Sequence, residues 1–323
     1  MSNAHIVSML IVADMEGNNN ELINRPKVTI GVCVRNCENT IRKAIESVMV
    51  QDYPHELMEV IFVDDGSEDE TLSIIKEYAS KMDMKVKIFH HRWKGLGASR
   101  NVVVKNASGE YIIWVDGDMI IPKDHVRKQV VFMEENPNVG IAKAKYGISN
   151  NQSLVAKLED VPFVIISLQN HVDGLKLSGT GGSIYKTIAI RQVGGFDESL
   201  SGVGEDLDAV YRILQTGWII RGSPAIFFEI RETTWKSIWR KYVWYGYGNF
   251  FVYSKNKSVF KLYKMIPPAG FLTGLFYSFH AYRLLCQKEV FLLPLHFLFK
   301  SFAWYVGFLW AYFKKKNREL IKW

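Results

Sequence analysis

From residue 28 onward the chain alternates short apolar runs with amphipathic stretches. VTIGVCV (28–34) is apolar throughout and reads as a buried strand. ENTIRKAIESVMVQD follows, with Ile41, Ala44, Ile45, Val48 and Met49 on one helical face. EVIFVDDGS (59–67) predicts a strand running into a turn, and EDETLSIIKEYASKM a helix with acids in its first turn. KVKIFHH (85–91) predicts a third strand, GASRNVVVKNA a short helix, and EYIIWVDGD a strand ending in two aspartates. KDHVRKQVVFMEEN and VGIAKAKYG add another helix and strand. This rhythm predicts an α/β fold with a mostly parallel sheet covered on both faces. Ligands of such sheets sit beyond the carboxyl ends of the strands. Polar clusters fall at those ends: 35–38, 64–67, 90–100 and 116–118.

The second half is less regular. GGSIYK (181–186) predicts a strand and GEDLDAVYRILQTGW (204–218) a helix stopped by Gly217. An aromatic-rich helix is expected over 232–253. The tail then changes character. IPPAGFLTGLFYSFHAY (266–282) has no charged residue, and 290–313 is apolar except for Lys300 and a few weakly polar positions. The pair predicts a C-terminal hydrophobic helical hairpin, with possible spans over about 266–286 and 290–313. Lys255, Lys257, Lys261 and Lys264 precede it, and Lys314, Lys315, Lys316 and Arg318 follow it. By the positive-inside rule both ends and the soluble domain face the cytoplasm. Lys300 in mid-span would cost roughly 2.5–3.5 kcal/mol. Interfacial helices, or burial of the pair against the soluble domain, are the competing readings. The domain boundaries that follow are 1–27 (extension or linker), 28–254 (α/β domain) and 255–323 (membrane-associated helices).

Composition narrows the class. The 323 residues are nearly half apolar, so the chain has material for a large core. The net charge of +7 is uneven, with many basic residues beside the apolar tail. That distribution suits an anionic membrane surface rather than nucleic acid, for which no zinc-finger or RNP-type signature is present. The apolar stretch at 5–13 is too short to span a bilayer and lacks a basic start, so no signal peptide is expected. Cys33, Cys37 and Cys286 have no metal-site spacing and favour a reducing compartment.

The candidate chemistry is acidic. Asp116 and Asp118 alternate along an extended chain, so both carboxylates can face one way, as a hard divalent cation requires. VDGD is also good turn chemistry, and on this stretch alone the two readings balance. Asp64 and Asp65 at a strand end can equally form a turn that caps the next helix. Arg100 can be an ordinary solvated arginine. Glu205 and Asp206, at a helix start, can simply oppose the helix dipole.

VDDGS, VDGD and GED nonetheless occur in a set order, with VTIGVCVRNCENTIRKAIESVMVQDYP before them. GLGASRN, SGEYIIWVDGD, GTGGSIYK and VGGFDESL are interleaved. This arrangement, over about residues 28–250, resembles the family 2 glycosyltransferases, whose fold is GT-A, the nucleotide-diphospho-sugar transferase fold. The resemblance implies transfer of a sugar from a nucleotide-diphosphate sugar, UDP favoured over GDP, to a saccharide or lipid-linked acceptor. It implies that Val34, Arg35, Asn36 and Glu38 line the base site with Asp65, which accepts from the base edge, and that Arg100 meets a phosphate. It implies that Asp118 binds Mg2+ or Mn2+, with Asp116 beside the metal or the ribose. Gly182 lines the acceptor half, Glu205 positions the acceptor or its loop, and Asp206 is the base of an inverting displacement. A free aspartate, with a pKa of about 3.9, needs burial or an advanced bond to carbon to serve there. The Q-x-x-R-W phrase of the processive members is missing from KSIWRKYVWYGYGNF (236–250), which points to addition of one sugar at a time. A nucleotidyltransferase should carry a glycine- and basic-rich loop where VRNCENT stands. A hydride-transfer enzyme should carry G-x-G-x-x-G. A catalytically idle nucleotide-sugar-binding protein stays as the remaining alternative.

Overall fold

The computed structural model describes residues 25–147, 153–168, 179–200, 203–257 and 261–320. The expected N-terminal extension, apart from its last three residues, lies outside them. The strands β1 (Val28–Val34), β2 (Met58–Asp64), β3 (Lys85–His90) and β4 (Tyr111–Trp114) pair in parallel, in the order 3-2-1-4. Then come the two-residue β5 (Met119–Ile120), β6 (Val139–Tyr146), β7 (Ser183–Lys186) and β8 (Ile219–Glu229). β7 lies antiparallel between β4 and β6, β8 is parallel to β6, and β5 is antiparallel to the end of β8. The expected mostly parallel sheet is therefore mixed, the antiparallel ladders all lying beyond β4.

The helices are α1 (Ile41–Met49), α2 (Thr71–Ala79), α3 (Leu96–Asn106), α4 (His125–Glu135), α5 (Leu154–Leu168), α6 (Thr187–Gln192), α7 (Glu205–Gln215), α8 (Trp235–Lys255), α9 (Pro267–Leu285) and α10 (Leu293–Leu320). Strand alternation sorts the core into two layers. Val28, Ile30, Val32 and Val34 pack with Ile41, Ile45, Ile75 and Val130 from α1, α2 and α4. On the opposite face Cys33, Ile61, Val63, Ile112 and Trp114 pack with Val103, Ile190 and Ile213 from α3, α6 and α7. Gly31 lets α3 settle on the sheet: a Cβ there would lie 2.8 Å from Val103 Cγ1. Register then brings the ends of β1 and β2 level, Val34 beside Asp64.

The tail forms the expected helical hairpin, and it docks on the domain. α10 lies beside α8 with the same polarity, Trp235 against Phe299 (5.3 Å) and Tyr247 against Trp310 (5.1 Å). The backbones meet at glycines, since a Cβ on Gly246 would strike Trp304 O and one on Gly307 would strike Val243 O. Lys300 turns inward. Its Nζ lies 2.6 Å from Glu159 Oε1 of α5, which also meets His296 Nε2 at 2.7 Å. Beside this pair Arg231 Nε bonds Asp160 at 2.7 Å. Among the described residues one helical stretch, Lys288–Lys315, is long and apolar enough to cross a membrane by length and composition, and 44% of its 18-residue apolar window is buried.

Removing one partner of a buried ion pair strands the other charge, at a cost of about 3–5 kcal/mol. Glu159→Leu and Lys300→Met should each lower the free energy of urea unfolding by roughly that amount. The double variant should lose less than either single one. Additive losses would show that the pair is not a coupled unit.

Candidate functional site

The carboxyl ends of β1 and β2 are knitted together by their own loops. Asn36, left-handed at φ 51°, accepts from Glu68 N through its side chain (2.9 Å). Cys37 N donates to Thr71 Oγ1 (2.7 Å), and Glu70 N to Glu38 Oε2 (3.2 Å). Asp64 is buried, taking Ser67 Oγ and lying 2.7 Å from His90 Nδ1. Asp65 accepts from Lys94 N (2.7 Å) and Gly95 N (2.9 Å), and so fixes the entry to α3. Val34 is buried, while Arg35 reaches outward, its guanidinium 5.6 Å from the Trp93 ring centroid. All five expected base-site residues therefore share one strand-end edge. Asn36, Glu38 and Asp65 already hold that edge together.

Next along the same edge, Arg100 of α3 is buried. It pairs with Glu205 at the start of α7 and stands 3.7 Å from Asp116, which follows β4. Arg100 thus faces the acids of the site. Asp116 is 40% exposed. Asp118 O accepts from Ile230 N (2.7 Å), which brings Glu229 of β8 alongside. Glu229 pairs with Arg231 (2.6 Å) and approaches Lys241 (3.6 Å). Burial, then Glu229 and Asp116, push the Asp118 carboxyl up to about 7. Desolvation raises Asp116 too, against the pull of Arg100.

The turn before β7 joins the two halves. A Cβ on Gly181 would sit 2.5 Å from Asp116 Oδ2, and one on Gly179 would sit 4.0 Å from Asp206 Oδ2. Asp116 and Asp206 therefore converge on one glycine turn. Gly182 (φ 68°) fixes that turn through its backbone, donating to Trp114 O (3.0 Å) and accepting from Ala144 N (2.9 Å).

A family description, glycosyl transferase family 2, matches residues 29–184, and a second, glycosyl transferase family group 2, matches 111–314. The chain belongs to the family 2 glycosyltransferases. The probable glycosyltransferase YdaM of Bacillus subtilis is 27% identical over 268 residues, 80% of this chain and 62% of its own length. The poly(ribitol-phosphate) beta-N-acetylglucosaminyltransferase TarS of Staphylococcus aureus is 36% identical over 110 residues, 34% of this chain and 19% of its own. The chain thus covers about a fifth of TarS. In structure it is similar to the mannosyltransferase PcManGT of Pyrobaculum calidifontis, solved with GDP-Man and Mn2+. The TM-score is 0.66 at 20% identity, over 88% of both chains. The fold is GT-A.

In this glycosyltransferase the acids suit a hard cation. The carboxyls of Asp116 and Asp118, raised first by burial and then by neighbouring carboxylates, would be held charged by a divalent ion. Among the described residues no three His, Cys, Asp or Glu side chains form a ready cage, so substrate oxygens and water would complete the shell. Sequence reading missed Glu229, because β8 is interrupted by Gly222 and Pro224, and Lys143, a buried residue of β6. A separate cleft of about 560 Å3, lined by His91, Lys94, Lys105, Arg191 and Glu198, lies against α3.

Arg100→Met should cost about 3–5 kcal/mol of stability, since Glu205 is left buried and unpaired. Arg100→Lys should recover only part, having no planar fork for the two carboxylates. Chemical denaturation of both variants checks this, and a near-neutral Arg100→Met would contradict the clamp.

Proposed function

We propose that this glycosyltransferase moves one sugar at a time from a nucleoside-diphosphate sugar, UDP ahead of GDP, to an acceptor hydroxyl or phosphate, with inversion. The observation that carries this reading is the convergence of Asp116 and Asp206, ninety residues apart in sequence, on the turn at Gly179–Gly182. The edge built by Val34, Arg35, Asn36, Glu38 and Asp65 receives the nucleotide. Arg100 holds Asp116 and Glu205 in place, so the acid end of β4 and the start of α7 keep a fixed separation. Asp118, with Asp116, would hold Mg2+ or Mn2+, which supplies neutralisation of the departing diphosphate. Asp206 takes the acceptor proton as the acceptor oxygen bonds to the anomeric carbon. The bond from that carbon to the diphosphate oxygen breaks, and its electron pair leaves with the nucleotide. One displacement inverts the configuration.

The acceptor is proposed to be lipid-linked, presented where the hairpin meets a membrane on its cytoplasmic side. Support comes from Leu272, Phe276, Phe279, Leu295, Trp310 and Phe313, which are all exposed, with Lys314 and Lys315 beside them. A large apolar surface rimmed by cations suits an anionic lipid interface. α10 is flanked along its length by α8, which carries Lys236, Arg240, Lys241 and Lys255. That neighbour favours an in-plane hairpin over a pair of spans.

Asp206→Asn should lower transfer from labelled donor roughly 10²–10⁴-fold. Binding of UDP with Mn2+, read by calorimetry, should stay within about twofold, and full transfer by the variant would refute the base assignment. Phe276→Asp with Phe279→Asp should release the protein from anionic vesicles in flotation. Alkaline carbonate should extract the unsubstituted protein, whereas resistance would mean a spanning hairpin.

A further inference from the structure

Lys143 is a buried charged group of this site that the proposed chemistry leaves without a task. It stands in β6 and is 5% exposed. A buried ammonium is costly unless a carboxylate pairs with it. Among the described residues none does so within ion-pair distance. Two of its three N–H groups donate to main-chain carbonyls, Gly179 O at 3.3 Å and Gly181 O. The rings of Phe227 and Tyr146 lie 5.2 and 5.5 Å from Nζ. One N–H has no partner among the described residues.

Its position says what that donor can meet. A Cβ on Gly179 would be 3.6 Å from Lys143 Nζ and 4.0 Å from Asp206 Oδ2. The ammonium and the proposed base therefore approach the same small residue, Gly179. The backbone is irregular here. Between Lys143 and Lys145 the pairing of β6 with β8 slips from Gly222 to Ile226, past Pro224. Such irregularities re-aim a strand's side chains and gather beside active sites. The surrounding carboxylates, Asp116, Glu229 and Asp206, keep the ammonium charged against burial, which lowers its pKa to about 8.

We propose that Lys143 binds the acceptor: its remaining N–H holds the attacking oxygen between itself and Asp206, against the Gly179–Gly182 turn. This rests on Asp206 being the base. The chemistry is complementary. Asp206 removes the proton, and Lys143 stabilises the negative charge that the same oxygen gains until its bond to carbon forms. A lysine suits this place, because a point charge with three donors can spend two on the turn and keep one for substrate.

The test uses the full chain and the UDP- or GDP-sugar it binds most tightly with Mn2+, with water as the attacking oxygen. Lys143→Met should lower kcat for donor hydrolysis about 10²-fold, as loss of one such donor does elsewhere. The donor KM and the calorimetric affinity for UDP with Mn2+ should hold within twofold. Lys143→Arg should fall between, and it carries the test if Lys143→Met does not fold. Nucleotide affinity falling in step with kcat would overturn the proposal in favour of a donor-side or purely structural lysine. An unchanged kcat would overturn it as well. Asp206→Asn assayed in parallel separates the two claims: if that variant keeps its turnover, the base assignment fails whatever Lys143 does.

Discussion

The site depends on one buried guanidinium. Arg100 comes from the helix after β3, Asp116 from the end of β4, and Glu205 from the start of α7. The helix and β4 are consecutive in the chain, but α7 lies far along it from both. Burying Arg100 with Glu205 is tolerable only because each compensates the other, and the half-exposed Asp116 stands at the edge of that pair. The clamp is also what ties the end of β4 to the start of α7. If Arg100 were free to reach a phosphate, Glu205 would need another counter-charge, and the described residues bring no other cation into an ion pair with it. Arg100 is therefore committed to the acids it positions.

The same logic explains how the acids tolerate one another. Asp116, Asp118 and Glu229 are crowded, and their repulsion is answered only in part by Lys143, Lys241 and Arg231. A site left short of positive charge binds a cation and an anionic substrate together more readily than either alone, since each offsets the other's charge. A fully neutralised acidic cluster would be more stable and would bind neither.

Much of this was legible in the sequence, and the exceptions have physical causes. Strands such as Val28–Val34 are buried on both faces and bounded by polar turns, so composition alone delimits them. α5 went unread because Pro162 breaks a helical pattern that tertiary packing sustains. β8 was hidden by Gly222 and Pro224 at its bulge, and with it Glu229. β5 is two residues long and exists only because the end of β8 lies beside it. Asp65 and Asn36 were located correctly at the strand ends, but their hydrogen bonds to neighbouring loops are long-range and leave no local pattern. Lys143 alternates with apolar residues and reads as a solvent-facing position of a half-exposed strand. What surrounds its ammonium are the Gly179 and Gly181 carbonyls and the rings of Tyr146 and Phe227, long-range neighbours for the most part, which no periodicity encodes.

The hairpin shows how one misplaced charge can redirect a reading. Lys300 in an apolar helix weighs against membrane insertion if lipid surrounds it. Paired with Glu159 it becomes a docking contact instead, and α10 acquires an inner face that recognises the catalytic domain and an outer face that does not. His296, one turn earlier, meets the same carboxylate, so the inner face is specified twice. Glycines on both helices let α8 and α10 approach to backbone contact, which fixes their rotation about each other. The apolar outer surface is then held at a set orientation to the acids at the strand ends, because α8 follows β8 and Glu229 lies at the end of β8. The hairpin and the acidic strand ends are thus positioned by one continuous stretch of chain, β8 into α8.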